Sequence, residues 1–270
     1  MCIKKVAGLL RAIRGSAHPK NFTSAIIAAA GLSQRFEGEQ TKQMTELCGY
    51  PILLHTLRAY EACDLIHEIV IVARKNEIPV WEDLVETYRL TKVKRIVPGS
   101  YSRQESVMCG LEAICDKAKY VAIADGARCL TTPQQITDVC RAAYRYGAAT
   151  AAHRSTDTVK LADKKGFIDS TADRELVWLA QTPQVFKTKL YRAAAVTAAK
   201  KGFTATDDNS LVENVGYPIR LVECGAQNIK ITTREDLAVA EGILRERVKD
   251  EVVFFPNEYG FESAEEEGTR

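Results

Sequence analysis

The sequence predicts an α/β protein with a mostly parallel sheet and helices on both of its faces, and three observations support this prediction. Short runs rich in β-branched residues recur at positions 25–30, 68–73, 93–97 and 120–124. Longer segments of helical periodicity separate these runs, and this alternation is typical of parallel sheets, whose strands need crossover helices. The chain has 270 residues, 46% hydrophobic and 27% charged, which is ordinary for one sizeable core.

The helices between the predicted strands are expected at residues 51–63, 78–90, 103–115 and 133–146. Pro51 and Pro133 stand at two of the starts, where the missing N–H of proline costs no hydrogen bond. In the third helix Val107 and Leu111 share one face. We therefore expect Ser106 to lie near an exposed helix start.

The C-terminal part of the core is predicted to add one strand and one helix. Residues 228–232 are predicted as the last strand, and Thr232 with Glu235 forms the pattern of a capping box that opens a helix through Leu244. A single domain is therefore expected over residues 22–248. Its order of strands and helices predicts a Rossmann-like sheet.

One region departs from the alternation of strands and helices. Residues 153–182 contain short β-like pieces around the turn sequence Asp-Lys-Lys-Gly at 163–166, which predicts a hairpin. We interpret the region as a β-arm that projects from the sheet. Because such an arm has little core of its own, a partner surface is expected to cover it, and a second copy of the chain is one candidate.

The flanking segments and the composition exclude several classes of function. Residues 1–21 are predicted as a basic extension and residues 249–270 as an acidic, partly disordered tail. A net charge of +2 gives no reason to expect nucleic acid, and no apolar run is long enough to cross a membrane. Eight cysteines without a C-x-x-C pair exclude a zinc knuckle and a redox dithiol and favour a reducing, cytoplasmic compartment.

Candidate chemistry begins where the first predicted strand runs into Gly31. A turn of small residues there lets backbone N–H groups approach a triphosphate. Arg35 and Lys42 follow in a loop loosened by Gly38, and fixed cations of this kind stabilise phosphoryl transfer. From the loop alone, both side chains could equally be solvated surface charges. The loop matches neither a Walker sequence nor G-x-G-x-x-G, and the absence of the latter argues against a dehydrogenase.

Motifs in order along the chain carry a resemblance to a known family. Residues 29–36 resemble A-A-G-x-G-x-R-M, Lys42 with Gln43 resembles P-K-Q, and residues 99–111 resemble G-G-x-x-R-x-x-S-V-x-x-G-L. Residues 125–128, 157–160, 173–184, 206–208 and 228–232 resemble D-A-A-R, D-T-[IM]-K, D-R with T-P-Q, T-D-[DE] and N-I-K-V-T. Together these motifs are similar to those of the 2-C-methyl-D-erythritol 4-phosphate cytidylyltransferases of the non-mevalonate isoprenoid pathway.

The resemblance implies a reaction, a set of ligands and a role for individual residues. It implies transfer of a cytidylyl group from CTP to a phosphorylated polyol with Mg²⁺, in a homodimer joined through the arm. The residues that it implies as catalytic are Arg35, Lys42 and Lys230. The residues that it implies for CTP are Ala29, Ala30, Gly31, Ser100, Ser106 and Asp125, the last also a metal ligand. The residues that it implies for the acceptor are Thr158, Arg174, Thr206 and Arg128.

Some positions depart from the family pattern, and two other functions stay open. The departures are Ser33, Thr41, Ser100, Gly126 and Cys129. Ser33 replaces a glycine, so a positive φ at this position would strain the loop by on the order of 1 kcal/mol. The open alternatives are a ribitol 5-phosphate cytidylyltransferase, which shares the first loop, and a non-catalytic nucleotide-binding relative.

Overall fold

The computed structural model describes residues 20–31 and 41–249. Nearly all of the predicted basic extension and acidic tail lies outside these residues. The strands are β1 (Thr23–Ala28), β2 (Glu46–Leu47), β3 (Tyr50–Pro51), β4 (Glu68–Ala73), β5 (Val93–Pro98), β6 (Tyr120–Asp125), β7 (Ala148–Arg154), β8 (Lys160–Ala162), β9 (Ile168–Thr171), β10 (Trp178–Lys187) and β11 (Arg220–Glu223). The helices are α1 (Ile52–Ala62), α2 (Ile78–Thr87), α3 (Arg103–Ala113), α4 (Pro133–Tyr146), α5 (Thr188–Lys201), α6 (Asp208–Glu213) and α7 (Arg234–Lys249).

The central sheet has seven strands in the order β11-β7-β10-β6-β1-β4-β5. Strand β1 pairs in parallel with β4 on one side and β6 on the other, and β4 pairs in parallel with β5. Strand β10 alone in this sheet runs the other way, because it is antiparallel to both β6 and β7. The prediction of a mostly parallel α/β sheet is confirmed.

Successive residues of the central strands point to opposite faces of the sheet, and each face has its own core. Ala25 and Ile27 pack with residues of α1, α2 and α4 on one face, whereas Ile26 packs with residues of α3 and α5 on the other. Both faces are therefore covered by helices, as the near-continuous apolar strands predict.

The helices between the central strands begin close to the predicted positions, because local capping residues fix where a helix begins and ends. Helix α4 begins at Pro133, where Thr132 and Gln135 form a reciprocal capping box, and it ends at Gly147 with φ of 91°. Helix α3 begins after Ser102, whose side chain accepts a hydrogen bond from the N–H of Glu105. The start of α3 is thereby held beside the loop that follows β5.

The prediction of a strand at residues 228–232 is wrong. This segment forms no strand, and the N–H of Ile231 donates to the Ala127 carbonyl oxygen at 2.9 Å. The edge of the sheet is formed instead by β11, which pairs with β7. Ile231 packs with Leu130 and Ala240 in a small cluster beside the sheet. This packing, and not strand pairing, explains why an apolar residue stands between polar neighbours.

The predicted capping box of Thr232 and Glu235 is also wrong. Helix α7 begins at Arg234, so the acceptor three residues into the helix is Asp236. Its carboxylate accepts hydrogen bonds from the backbone N–H groups of Thr232 at 2.7 Å and of Thr233 at 2.9 Å. A shift of one residue in the helix start changes which acidic side chain caps it.

The predicted hairpin is present at the predicted turn. Strands β8 and β9 pair antiparallel around residues 163–166, and the Asp163 carboxylate accepts from the N–H groups of Lys165 and Phe167 at 2.9 and 3.0 Å. Phe167 and Ile168 are exposed over 71% and 66% of their surface. The hairpin is thus locally ordered while large apolar side chains remain uncovered within this chain.

No helix in the described part of the chain combines the length and the apolar character needed to cross a membrane.

Candidate active site

A pocket of about 580 Å³ opens at the edge of the sheet where β1, β5 and β6 end. Because these strands belong to one parallel set, their carboxyl ends lie at the same edge, which is where α/β proteins bind ligands. The pocket is lined by Ala28, Ala30, Gly31, Lys42, Gln43, Ser100, Tyr101, Ser102, Arg103, Ser106, Asp125, Gly126, Ala127, Lys230 and Thr232.

Asp125 is the electrostatic centre of the pocket. One carboxylate oxygen lies 3.2 Å from Nε of Arg103, and the other lies 2.9 Å from Nζ of Lys230 and 3.8 Å from Nε of Arg128. Burial alone would raise the pKa of Asp125, but the ion pairs with these cations outweigh it and lower the pKa to about 2. The carboxylate is therefore ionised at neutral pH.

Arg103 links the pocket to a second buried carboxylate. Its Nη1 lies 2.8 Å from Oδ2 of Asp208, and the hydroxyl of Tyr191 donates to Oδ1 of Asp208 at 2.5 Å. Burial raises the pKa of Asp208, and the positive charge of Arg103 opposes the rise. Burial alone would lower the pKa of the Arg103 guanidinium, but Asp208 and Asp125 raise it on balance.

Neither Arg103 nor Asp208 was among the predicted site residues, although both lie in motifs that carry the family resemblance. The arginine of G-G-x-x-R and the second aspartate of T-D-[DE] were the available signals. Sequence spacing gave no indication that these two residues form an ion pair.

Lys230 is positioned by a buried hydrogen-bond network under residues 228–232. The side-chain amide of Asn228, which is fully buried, donates to the Gln181 side chain at 3.2 Å and to the Thr182 carbonyl oxygen at 3.0 Å. The Thr131 hydroxyl donates to the Asn228 side-chain oxygen at 2.8 Å. The backbone next to Lys230 is thereby fixed, while the lysine side chain itself is 39% exposed.

Arg128 lies behind Asp125 and is not part of the pocket lining. Its Nη1 donates to the Asn228 carbonyl oxygen at 2.6 Å, and its Nε faces the Asp125 carboxylate. Burial lowers the pKa of its guanidinium. In this arrangement Arg128 connects Asp125 to the segment that carries Lys230.

Ser106 lines the pocket, but the prediction that it lies at an exposed helix start is wrong. It is 5% exposed, because it begins the second turn of α3 and faces the loop after β5. Its hydroxyl accepts from the N–H of Ser100 at 3.0 Å and lies 3.3 Å from the Ser100 carbonyl oxygen. Ser100 is not among the described non-glycine residues with positive φ, so its side chain causes no strain.

The turn after β1 reaches the pocket through Ala30 and Gly31, and Lys42 follows at the other end of the first loop. Ala29 is buried in the core and is not part of the lining. Arg35 and Ser33 lie in residues 32–40, outside the described part of the chain. The structure thus brings Lys42 together with Lys230 and Asp125, as the resemblance implies.

The residues predicted for the acceptor are not part of this pocket lining. Thr158 and Arg174 are exposed on either side of the β8–β9 hairpin, and Arg174 donates to the Thr156 carbonyl oxygen at 3.3 Å. Thr206 is exposed, and its hydroxyl lies 3.1 Å from that of Ser210. Within one chain the pocket therefore lacks the predicted acceptor side chains.

Asp125 is the one acidic residue among the residues that line the described pocket. The described residues contain no group of three or more histidine, cysteine, aspartate or glutamate side chains that could hold a metal ion. One ionised carboxylate fits a Mg²⁺ ion that takes its remaining oxygens from phosphates and water. It does not fit a metal site built by protein ligands alone.

Comparison with known proteins agrees with this geometry. The sequence profile of the family 2-C-methyl-D-erythritol 4-phosphate cytidylyltransferase (IspD) matches residues 23–246. A relative of that name from Pelotomaculum thermopropionicum is 43% identical over 225 residues, which cover 83% of this chain and 94% of the relative. One from Caldanaerobacter subterraneus is 41% identical over 223 residues, which cover 82% of this chain and 98% of the relative.

Solved structures give the same result. The crystal structure of 4-diphosphocytidyl-2C-methyl-D-erythritol synthase from Anaerococcus prevotii aligns with a TM-score of 0.76 at 32% identity, covering 83% of this chain and 99% of that one. The 2-C-methyl-D-erythritol 4-phosphate cytidylyltransferase of Thermus thermophilus aligns with a TM-score of 0.67 at 32% identity, covering 82% of this chain and 98% of that one.

Proposed function

The chain belongs to the 2-C-methyl-D-erythritol 4-phosphate cytidylyltransferase family, and from this premise we propose how its pocket performs the reaction of that family. The enzyme transfers CMP from CTP to 2-C-methyl-D-erythritol 4-phosphate, which yields 4-diphosphocytidyl-2-C-methyl-D-erythritol and diphosphate. The observation that carries the proposal is the convergence of Lys42, Lys230 and the ionised Asp125 at the carboxyl edge of the sheet.

The chemical step requires charge stabilisation more than proton transfer. A phosphate oxygen of the acceptor attacks the α-phosphorus of CTP, and the bond to the bridging oxygen of the β-phosphate breaks as diphosphate leaves. The attacking oxygen is already ionised at neutral pH, so the reaction needs no general base. Lys42 and Lys230 neutralise the negative charge that develops around the α-phosphate, and Arg35 is proposed to add a third cation.

Nucleotidyltransferases of this family generally use a divalent metal ion, and we propose that here it is Mg²⁺ held by Asp125 and the triphosphate. When bound, the ion supplies a Lewis acid that withdraws charge from phosphate oxygens. The carboxylate of Asp125 would hold the ion, and Lys230, whose Nζ lies 2.9 Å from that carboxylate, would neutralise phosphate charge beside it. Support comes from the position of Asp125, which is the one carboxylate among the described residues that line the pocket.

The nucleotide is proposed to contact the backbone of residues 29–31 and the side chains of Ser100 and Ser106. The small side chains after β1 leave the backbone accessible, and an added Cβ on Gly31 would meet nothing within 4 Å. The hydroxyls of Ser100 and Ser106 can both donate and accept, which suits the edge of a cytosine ring.

The acceptor is proposed to be held by Thr158 and Arg174 of a second copy of the chain, together with Thr206 and Arg128. A guanidinium binds two phosphate oxygens at once, so Arg174 suits the acceptor phosphate. Two observations support a contribution from the partner: Arg174 is exposed beside the hairpin, and the hairpin carries uncovered apolar side chains. In the hairpin these side chains are Leu161, Phe167 and Ile168, and Leu176, which follows the hairpin, is also exposed.

Subunit mixing tests this arrangement. Lys42→Ala and Arg174→Ala homodimers should each be nearly inactive, whereas random mixing should restore about a quarter of wild-type activity, since half of the dimers then carry one intact site. Failure of the mixture to regain activity under conditions that exchange subunits would contradict the shared site.

The reaction itself is tested by diphosphate release from the purified chain with CTP and Mg²⁺. We expect release with 2-C-methyl-D-erythritol 4-phosphate and much less with ribitol 5-phosphate, and we expect Lys42→Ala to abolish it. Faster release with ribitol 5-phosphate would show that ribitol 5-phosphate is the acceptor. No diphosphate release with either compound would indicate a non-catalytic relative.

We further propose that residues 22–248 form one catalytic domain that works in the cytoplasm. The described cysteines are all free thiols, which supports a reducing compartment.

A further inference from the structure

Tyr101 is a large aromatic residue at the opening of the pocket with no role in the reaction described above. It lines the pocket, yet it is the most exposed of the large hydrophobic residues in the described part of the chain. A single exposed aromatic side chain is ordinary on a protein surface. An exposed aromatic ring at the mouth of a nucleotide pocket, however, is well suited to contact a planar ligand.

The loop that carries Tyr101 is fixed on both sides of the residue. Before it, the N–H of Gly99 donates to the Ala73 carbonyl oxygen at 2.9 Å, and the N–H of Ser100 donates to the Ser106 hydroxyl. After it, the N–H of Ser102 donates to the Glu105 carboxylate at 3.1 Å. The backbone is therefore preorganised while the ring of Tyr101 is left to solvent.

The pocket has two chemically different ends. Asp125 and Lys230 form a charged end, which suits the triphosphate. Ala30 and Ser106 lie against Gly99, because a Cβ added to Gly99 would approach the Ala30 Cβ at 2.4 Å and the Ser106 hydroxyl oxygen at 2.9 Å. The backbone of Gly99 is therefore packed closely against Ala30 and Ser106 at this uncharged end, and Tyr101 is two residues away.

We propose that the ring of Tyr101 stacks on the nucleobase of the bound nucleoside triphosphate and closes the uncharged end of the pocket. The proposal rests on the proposed function, because it takes the triphosphate to occupy the charged end. An aromatic ring binds the face of a base through stacking and does not depend on the polar groups at the base edge. Tyr101 would therefore add affinity for the nucleotide, while the hydroxyls of Ser100 and Ser106 contact the edge of its base.

The experiment measures binding directly by calorimetry for two probes, CTP and inorganic tripolyphosphate, which carries the phosphates without a base. For Tyr101→Ala we expect CTP affinity to fall at least about fivefold, the lower end of what one base–aromatic stack contributes. The affinity for tripolyphosphate should stay unchanged, and Tyr101→Phe should bind CTP like wild type. Tyr146→Ala is the matched control, since it removes an exposed ring outside the pocket lining.

The possible outcomes separate this inference from the proposed reaction. Equal loss of CTP and tripolyphosphate affinity in Tyr101→Ala would indicate a distorted loop and would overturn the stacking role, as would unchanged CTP affinity. A wild-type chain that binds tripolyphosphate but not CTP would overturn it as well. Wild type that binds CTP yet releases no diphosphate would contradict the proposed reaction and leave the Tyr101 comparison valid.

Discussion

The centre of the pocket and the β8–β9 hairpin solve the problem of holding functional side chains in opposite ways. Around Asp125, three cations and a second buried carboxylate at Asp208 are connected by ion pairs and hydrogen bonds within one chain. In the hairpin, backbone pairing and the Asp163 turn provide order, while Phe167 and Ile168 face solvent.

This difference separates groups that one chain positions alone from groups that need another surface. Buried charges persist only when they are paired, so the network around Asp125 must be complete before any ligand arrives. A short two-stranded hairpin is marginal by itself, and its exposed apolar side chains gain free energy only when something covers them. Substitutions in the two regions should therefore affect different measurable quantities.

The largest effect is expected at the charged end of the pocket. Lys230→Ala should lower kcat by about 100- to 1000-fold, because it removes one preorganised charge from the transition state. Its unfolding free energy should change little, since the Lys230 side chain is 39% exposed and Asp125 keeps its ion pair with Arg103. Steady-state diphosphate release and urea unfolding check both statements. The matched control is Lys165→Ala in the hairpin turn. A similar loss of kcat in this variant would contradict the claim that the catalytic charge lies in the pocket.

The next effect is on stability and concerns the buried pair of Arg103 and Asp208. Asp208→Asn should lower the unfolding free energy by about 3 kcal/mol, because it removes the counter-charge that the buried Asp208 provides to the half-buried guanidinium of Arg103. Tyr191→Phe removes only the hydrogen bond to the Asp208 carboxylate and should cost about 2 kcal/mol. Asp163→Ala in the exposed turn is the control, and a loss there as large as that of Asp208→Asn would contradict the prediction.

Acidification should lower the unfolding free energy of the protein through protonation of His55. Burial lowers the pKa of His55 to about 4, and its Nε2 lies 2.8 Å from the Leu47 carbonyl oxygen. The unfolded chain takes up this proton near pH 6.5, whereas the folded chain resists it until about pH 4. The unfolding free energy contributed by His55 is therefore complete above pH 6.5 and falls by up to about 3 kcal/mol as the pH drops to 4.

Comparison with His55→Gln isolates this group. The difference in unfolding free energy between wild type and variant should shrink as the pH falls from 6.5 to 4. The raised pKa of Asp208 acts in the opposite direction and is common to both proteins. A difference that stays constant with pH would show that His55 does not titrate in this window.

The smallest change in chain stability is expected in the hairpin. Phe167→Asp should alter the unfolding free energy of the single chain by less than about 0.5 kcal/mol, because the side chain is 71% exposed. If a second copy covers the hairpin, the same substitution should shift sedimentation from dimer to monomer. A variant that remains as associated as wild type would place the dimer contact elsewhere.

Local patterns in the sequence were sufficient for much of the fold. Glu68–Ala73 and Pro133–Tyr146 have the predicted bounds, because apolar runs and caps act within a few residues of each other. The turn at 163–166 was predictable for the same reason. The wrongly predicted strand at 228–232 shows the limit of this approach, since alternating apolar residues do not reveal whether a neighbouring strand is available for pairing.

The sequence by itself contains the motifs whose resemblance to a known family predicted Asp125, Lys42 and Lys230 as parts of one site. Only the tertiary structure decided that Arg103 pairs with both Asp125 and Asp208, and that Arg128 bonds to the carbonyl oxygen of Asn228, 100 residues away. Periodicity and caps depend on neighbours along the chain. Pairing of buried charges depends on which distant segments meet when the core excludes water, and no local pattern encodes that meeting.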